Sequence, residues 1–537
     1  MRNRFKRNKI TNEAMKGYDI LKDNGDLSLI FNIRNCLLKS DLKLSSQTIL
    51  KKFVNFDDQN KDFIIKQFLY SRLINFDFNA KILASIVNEK NISHPLPKIW
   101  QSYIEKCGIK IAKNKSTFLW YFFIVKNLTL GILLALNIFI QSLRSLFLKR
   151  KKFDEKHSFF LGLNDLALSG DLSLSNSRNC VNWYVNEIYK SEDNITLYHQ
   201  VKNQISTKEY NYFKVVFSKN ILPDISSLYR IVEFYANTLK YFLYCLKELV
   251  LGNQYNALLY FESINLIKIN YLQNNELAKD YLFNNSYYLY RPLWTYGAED
   301  KGSKILFYFY SIPHISTLTK SYVSSEIDYS WTILTWSKYY IWNKEHKNLL
   351  QNLISYNSEF FISNPILLSN DSIEFDNLNN LGVAVFDIQP FANSSYKLFG
   401  LEEEYYIPDV VIKFLSDIQE VLSELKIFMF YKNKREIKNK LHPNFKIFKN
   451  NQLIYNKNVL ILNPDISPVN LINNSLASIS LPFTSTGYLG LYLNKPSIFY
   501  DPTGLVNNLN ADANNVDIIT GKNNLKIWIK NVIDQNI

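Results

Sequence analysis

The sequence predicts an α/β protein. Its last third reads as a doubly wound parallel sheet, preceded by a second α/β region and by a helical N-terminal stretch. Three observations predict this. Between Val383 and Pro502, short apolar runs alternate with helical patterns, the order that builds parallel sheets. Residues 157 to 370 mix apolar runs with longer helical ones, and residues 1 to about 110 pattern as helices with polar joints. A chain of 537 residues also exceeds what one core accommodates. We therefore divide it into 1–152, 153–378 and 379–537.

From the N-terminus, MRNRFKRNKI is basic. It lacks the apolar core and small-residue cleavage site of a signal peptide, so a cytoplasmic chain is expected. Phe118 to Ile140 is the most apolar stretch and is followed by Arg144 and LKRKK, Leu148 to Lys152. Its length suffices to cross a bilayer, with the basic flank on the cytoplasmic side. Lys126 and Asn127 would be costly at depth. The stretch therefore reads as a helix lying in or dipping into the membrane interface, and a buried core helix satisfies the same pattern.

HSFFLGLN, NITLYHQV, KVVFS and KILFYFYS read as strands, and Ser227 to Leu251 as a helix. In the last third the strands are Val383–Ile388, Lys426–Lys432, Asn458–Asp465, Leu476–Pro482 and Pro496–Pro502. They are nearly continuous apolar runs, as buried parallel strands require. The helices between them start at Pro408, at Ser467-Pro468 and at Thr486, where proline and hydroxyl residues fit first turns and caps.

The formal charge is +14. The basic residues are dispersed, and Asn, Lys, Ile, Tyr and Phe are residues that AT-rich codons favour. A nucleic-acid partner is therefore not expected. Affinity for phosphates, acidic sugars or anionic lipid remains. Cys36, Cys107, Cys180 and Cys245 are widely separated in sequence and read as reduced thiols. No zinc spacing, HExxH, Asp-X-Asp, GxGxxG or Walker A sequence is found, so no metal site and no cofactor is expected.

Three features fall at or after carboxyl ends of strands, where such sheets bind ligands. The first is KNKR, with Lys432, Lys434 and Arg435; cations there can neutralise phosphate, and a solvated basic turn reads equally well. The second is His442-Pro443. Its imidazole can donate to, or protonate, a leaving phosphate. His94-Pro95 has the same letters in a helical region, so the dipeptide alone does not define a site. The third is PFTSTG, comprising Pro482, Phe483, Thr484, Ser485, Thr486 and Gly487. Hydroxyls and free N–H groups at a helix start bind anions. Ordinary capping needs only one such residue.

The run ISLPFTSTGYLGLYLNKPSIFYDPTG, Ile479 to Gly504, closely resembles the signature of the bacterial polysaccharide-biosynthesis proteins named for their PFTS motif. VFDIQPF, KNKR, LNPDISP and RPLWTYGAEDKGSKILFYFYS resemble the same family, strongly over 380–505 and less so from 290. The resemblance implies a GT-B-like fold with two Rossmann-like domains facing a cleft. It implies a metal-independent glycosyltransferase of capsule or O-antigen assembly. Its partners would be a nucleotide-sugar donor on the C-terminal domain, a lipid-linked or oligosaccharide acceptor, and the inner face of the cytoplasmic membrane.

The arrangement is also similar to bacterial GT-B sialyltransferases, which pair a His-Pro motif with a Ser/Thr motif around a CMP-sugar phosphate. By that similarity His442 contacts the phosphate as general acid, and Thr484, Ser485 and Thr486 hold phosphate or ribose. The acidic pair of those enzymes is not matched directly. Glu299 and Asp300 are separated from Gly302 by Lys301 and precede their strand. Glu299 and Asp387 are thus the two candidates for the catalytic base, and strand-end or helix-end polarity explains either one alone. A polyol-phosphate transferase of teichoic-acid type, suggested by Asn494-Lys495-Pro496, and a non-catalytic membrane-associated assembly protein are the alternatives.

Overall fold

The computed structural model describes residues 2–26, 28–42, 58–148, 153–154, 156–163, 179–190, 195–200, 208–209, 213–287, 289–312, 329–368, 381–390, 407–433, 441–464, 466–506 and 513–536.

The N-terminal part is helical: α1 (Arg2–Asp23), α2 (Leu29–Lys39), α3 (Asp58–Leu73), α4 (Phe76–Asn88), α5 (Lys98–Lys106) and α6 (Lys113–Phe147). Asn75 starts α4 by accepting from the N–H groups of Asp77 and Phe78, the N-cap chemistry expected of asparagine. His94, between α4 and α5, is buried. Its Nε2–H donates to the Leu73 carbonyl at 2.8 Å, and Lys81 Nζ lies 3.3 Å from Nδ1. Burial, with Lys81 beside it, holds its pKa down at about 4.

Neutral His94 is therefore favoured in the folded chain. The stability it supports is complete above the ordinary histidine pKa near 6.5 and is lost as pH falls from there towards 4. At ~1.4 kcal/mol per pH unit, that loss is about 3 kcal/mol. We predict that the urea stability of His94→Gln falls less steeply between pH 6.5 and 4.5 than that of the wild type. Equal slopes would remove His94 as the source. Cys36 and Cys107, distant in sequence, come side by side as free thiols.

The first α/β unit follows as β1 (His157–Leu161), α7 (Cys180–Tyr184), β2 (Ile195–Gln200), β3 (Lys208–Glu209), β4 (Phe213–Phe217), α8 (Leu228–Val250), α9 (Gln254–Leu258) and α10 (Tyr260–Asn270). It continues through β5 (Asp280–Asn284), α11 (Leu293–Asp300), β6 (Lys304–Tyr308), β7 (Lys338–Ile341), α12 (Lys344–Leu353) and β8 (Glu359–Ile362). Its sheet runs β3-β4-β2-β1-β5-β6-β7-β8, parallel except for the short β3–β4 pair.

The second unit comprises β9 (Gly382–Phe386), α13 (Pro408–Glu424), β10 (Phe428–Lys432), α14 (Pro443–Phe448), β11 (Val459–Leu462) and α15 (Pro468–Asn473). It ends with β12 (Ala477–Ser480), α16 (Ser485–Tyr492), β13 (Ser497–Asp501), β14 (Asp517–Thr520) and α17 (Lys522–Asn536). Its sheet is wholly parallel, in the order β11-β10-β9-β12-β13-β14. Renumbered within the unit this is 3-2-1-4-5-6, the Rossmann order, whose direction reverses between β9 and β12. β9, GVAVF, is buried throughout, as a central parallel strand must be. Helix α13 begins with Pro408 at its first position. It covers the sheet with Val411, Phe414, Leu415, Ile418 and Leu422, spaced three or four apart on one helical face.

The carboxyl-edge loops of the two sheets meet. The Ile312 N–H, just past β6, donates to Ser485 Oγ at 3.0 Å. The Trp342 ring, just past β7, packs 5.9 Å from that of Tyr488, and Asn343 donates to Asn514 at 3.1 Å. The apolar core of the first unit continues into Leu471, Ile472 and Leu489 of the second.

Helix α6 contains the apolar stretch and is neither a free span nor a wholly buried core helix. Trp120, Ile124, Leu128, Ala135 and Ile138 are buried against α8, α9 and α10. Phe118, Phe122, Val125, Leu133 and Ile140 are exposed.

Candidate active site at the switch point of the second sheet

The reversal between β9 and β12 opens a crevice at their carboxyl ends, and most of the expected residues are brought to it. Leu481 N–H donates to Phe386 O at 2.9 Å, tying the turn after β12 to the end of β9. The His442 N–H donates to Pro390 O at 3.0 Å, tying the His-Pro loop to the same exit. Gln389 donates to Asn433 Oδ1 at 2.9 Å, joining the exits of β9 and β10. Asp387, Lys432, His442 and the Pro482–Gly487 turn thus share one edge. Lys434 and Arg435 lie outside the described residues.

The hydroxyl-rich turn is built from its own residues upward. Phe483 takes a left-handed backbone, φ 64°. Left-handed geometry costs a non-glycine residue about 1–2 kcal/mol. Its buried ring, 6.0 Å from that of Phe499, holds it there. Thr484 occupies the N-cap of α16 but does not cap it. Its Oγ1 instead donates to Leu481 O at 2.9 Å. Thr486 Oγ1 lies 3.1 Å from Thr484 Oγ1 and 2.9 Å from Ser480 Oγ. Thr484 spends its proton on Leu481, so the chain of donors runs from Ser480 to Thr486 to Thr484.

Among the described residues, the Thr484 side chain at the N-cap leaves the start of α16 without its cap, and the first N–H groups there carry the positive end of the helix dipole. Ser485 Oγ accepts from Ile312 and keeps its own proton to donate.

Gly487 has a packing task that the motif does not show. A Cβ there would stand 2.3 Å from the Phe499 ring, and one at Gly490 would stand 2.4 Å from Ser478 Oγ. The two glycines let α16 lie directly on β12 and β13. Ser497 Oγ donates to Gly487 O at 2.8 Å and fixes that contact.

His442 caps α14, with Nδ1 accepting from the Asn444 N–H at 3.2 Å. The proton of the neutral ring is thereby placed on Nε2. Burial lowers its pKa, with Asp409 acting the other way. Neutral imidazole is the form at physiological pH, and its Nε2–H is a hydrogen-bond donor. Asp387 is buried and accepts from the Tyr431 hydroxyl at 2.7 Å. Lys449 faces Asp387, and burial lowers the Lys449 pKa against that attraction.

Glu299 is not brought to this edge. It ends α11, before β6, at the amino edge of the first sheet. There it accepts from Nη2 of Arg291, which is fully buried. Nε of Arg291 donates to Thr295 at 3.0 Å and Nη1 to Thr335 O at 2.6 Å, and its guanidinium lies 3.8 Å over the Tyr296 ring. The acidic residue expected as a base is thus the counter-ion of a buried guanidinium. Breaking such a pair leaves a buried charge and costs about 3 kcal/mol. We predict that Glu299→Gln lowers stability by that order and leaves turnover per folded molecule unchanged. A stable variant with abolished turnover would return Glu299 to the chemistry.

Ser480, Gln389, Asn433 and Tyr431 are site residues that the motif reading missed. Ser480 alone carried a signal, as a small hydroxyl at a strand end directly before the turn. Among the described residues, no cluster of three or more His, Cys, Asp or Glu side chains is gathered for a metal ion.

Two largely parallel α/β units joined through their carboxyl edges, the second in Rossmann order with the helix start of the PFTS turn at its switch point, make this a GT-B-like α/β protein. Residues 240–529, more than half of the chain, match the polysaccharide biosynthesis PFTS motif protein family, and the chain belongs to that family. No curated protein sequence matches it. Among solved structures it is similar to the UDP-GlcNAc 2-epimerase of Methanocaldococcus jannaschii, solved with UDP-GlcNAc and UDP (11% identity, 71% of this chain and 93% of that one, TM-score 0.34). It is similar also to the wall teichoic acid polymerase TagF (11%, 75% and 89%, 0.37). A third is a glycosyltransferase from Rickettsia africae ESF-5 (14%, 71% and 88%, 0.33).

Proposed function

We propose that the protein is a glycosyltransferase of bacterial surface-polysaccharide assembly, taking a sugar from a nucleotide-sugar donor to a growing glycan. One observation carries the reading: the PFTS turn starts a helix with no side-chain cap at the switch point of a Rossmann-ordered sheet. There it can hold the donor's phosphates. The donor's nucleotide lies on the second unit. The acceptor, an oligosaccharide or lipid-linked glycan at the inner face of the cytoplasmic membrane, approaches from the carboxyl edge of the first. That edge is polar: Asn285 donates to Ser311 O at 3.1 Å, and Tyr310 pairs with Ser286.

In the proposed reaction a carboxylate, with Asp387 the candidate at this edge, removes the proton of the acceptor hydroxyl. The acceptor oxygen bonds to the anomeric carbon as the bond from that carbon to the phosphate oxygen breaks. The electron pair leaves on the phosphate. The α16 N–H groups, the Ser485 hydroxyl, Lys432 and the Nε2–H of His442 stabilise that charge, joined by Lys434 and Arg435, while the hydroxyls of Thr484 and Thr486, whose protons are committed within the turn, shape the cradle. Purified protein is to be offered CMP-, CDP-, UDP- and GDP-linked donors, scoring nucleotide release and the bond in the product. Release with one nucleotide class and a glycosidic product is expected. A phosphodiester product would make it a polyol-phosphate transferase, and calorimetric silence towards every nucleotide would end the enzymatic reading.

A further inference from the structure

We infer that α6 and α8 together form a membrane-binding face that rests in the plane of an anionic phospholipid surface. This deepens the proposed working place at a membrane and rests on that reading. The two helices lie side by side, with the Phe139 and Tyr235 rings 5.0 Å apart. Both are backed by α10. Gly131 of α6 lets the Tyr260 ring approach so closely that a Cβ would stand 2.3 Å from it. Tyr260 OH in turn donates to Thr238 O of α8 at 2.9 Å.

The faces turned away from α10 are apolar on both helices. On α8 the exposed positions Val232, Leu239, Leu243 and Val250 repeat at helical spacing, and α6 beside it exposes Phe118, Phe122 and Leu133. An apolar surface running along two helices marks an interaction site.

Charge and geometry choose the occupant. Helix α6 contains no acidic residue, and Lys126, Lys240 and Lys247 are exposed within or beside the stripes. On α8, Glu248 is buried and Glu233 accepts from Tyr229. Lysine stems can lie along acyl chains while their ammonium groups reach lipid phosphate. A second copy of the chain would instead set this lysine-bearing face against itself across a two-fold axis, opposing like charges in an apolar contact. Packing disfavours crossing the bilayer, since among the described residues α6 alone is long and apolar enough to cross and its covering helices would have to enter with it. The 35 residues of α6 extend about 50 Å at 1.5 Å per residue, and one side is covered by protein along most of that length.

The test is flotation of the full chain with phosphatidylcholine vesicles, with and without phosphatidylglycerol. Binding to the anionic vesicles, weakened by salt, is expected. Leu133→Glu combined with Leu243→Glu should lower partitioning about tenfold or more by placing charge in the inserted face. Both positions are exposed, so an unchanged melting curve serves as the folding control. Lys126→Glu with Lys240→Glu should lower the preference for anionic vesicles about tenfold or more. No vesicle binding by the wild type, unaltered binding by the leucine pair, or a lipid-free dimer dissolved by the same pair would overturn the inference. Nucleotide release with a water-soluble acceptor, measured in parallel, separates the readings. Its absence counts against the transferase, while lost flotation with intact release counts against this face alone.

Discussion

His442→Ala is expected to lower turnover about 10²-fold or more, the usual contribution of one positioned hydrogen-bond donor to a developing negative charge. The Nδ1 atom accepts from the Asn444 N–H, so the ring has one orientation and one tautomer, and Nε2–H is its single donor. Alanine also removes the cap of α14, a loss of about 1 kcal/mol. His442→Ser separates the two roles, because serine caps well but cannot reach where Nε2 stood. Turnover restored by serine would reduce His442 to a capping residue. Turnover still depressed, with stability recovered, would place it on the leaving phosphate.

The pH profile carries the same sign. Burial holds the pKa below the ordinary histidine value. Wild-type kcat/KM should therefore stay flat around neutrality and fall only on the acid side of about 6.5. There, protonation sets a second N–H on Nδ1 against the Asn444 N–H and breaks the cap.

Gly487→Ala is the second large effect. The added Cβ would meet the Phe499 ring at 2.3 Å, and overpacking of this kind costs typically about 1–3 kcal/mol. The strain falls on the first turn of α16. Helix and phosphate cradle would shift together, so a loss of donor affinity larger than the loss of stability is expected. Phe499→Leu removes the opposing ring edge. The double variant should be more stable than the sum of the two single changes predicts, a positive coupling of neighbouring sites. Strict additivity would show that α16 does not rest on Phe499. The same comparison by nucleotide calorimetry reads whether the turn recovers with the packing.

The site was legible to the extent that its chemistry is local. The PFTS turn, the strand before it and the helix after it follow from an apolar run, a proline and a cluster of hydroxyls within ten residues. Other elements left weaker marks. β5, DYLFN, begins and ends on polar residues, and its Asp280 is buried against the Tyr184 hydroxyl at 2.6 Å. That partner lies 96 positions away, so no local pattern shows that the carboxylate is satisfied. The exposed stripe of α8 was hidden for a related reason. Apolar residues occupy both its faces, and periodicity does not tell which face finds a partner.

By itself the sequence determined the parallel α/β class, the family signature and the starts of α13 and α15 and, to within one residue, of α16, because periodicity, capping and turn preference act over a few neighbouring residues. The tertiary structure alone decided that Glu299 belongs to Arg291, that Thr484 leaves the start of α16 uncapped, and that Asp387, Lys432, His442 and the turn share one edge. Those outcomes depend on strand order and on contacts between residues far apart in the chain. Burial there makes an unpaired charge or hydroxyl costly enough to select its partner.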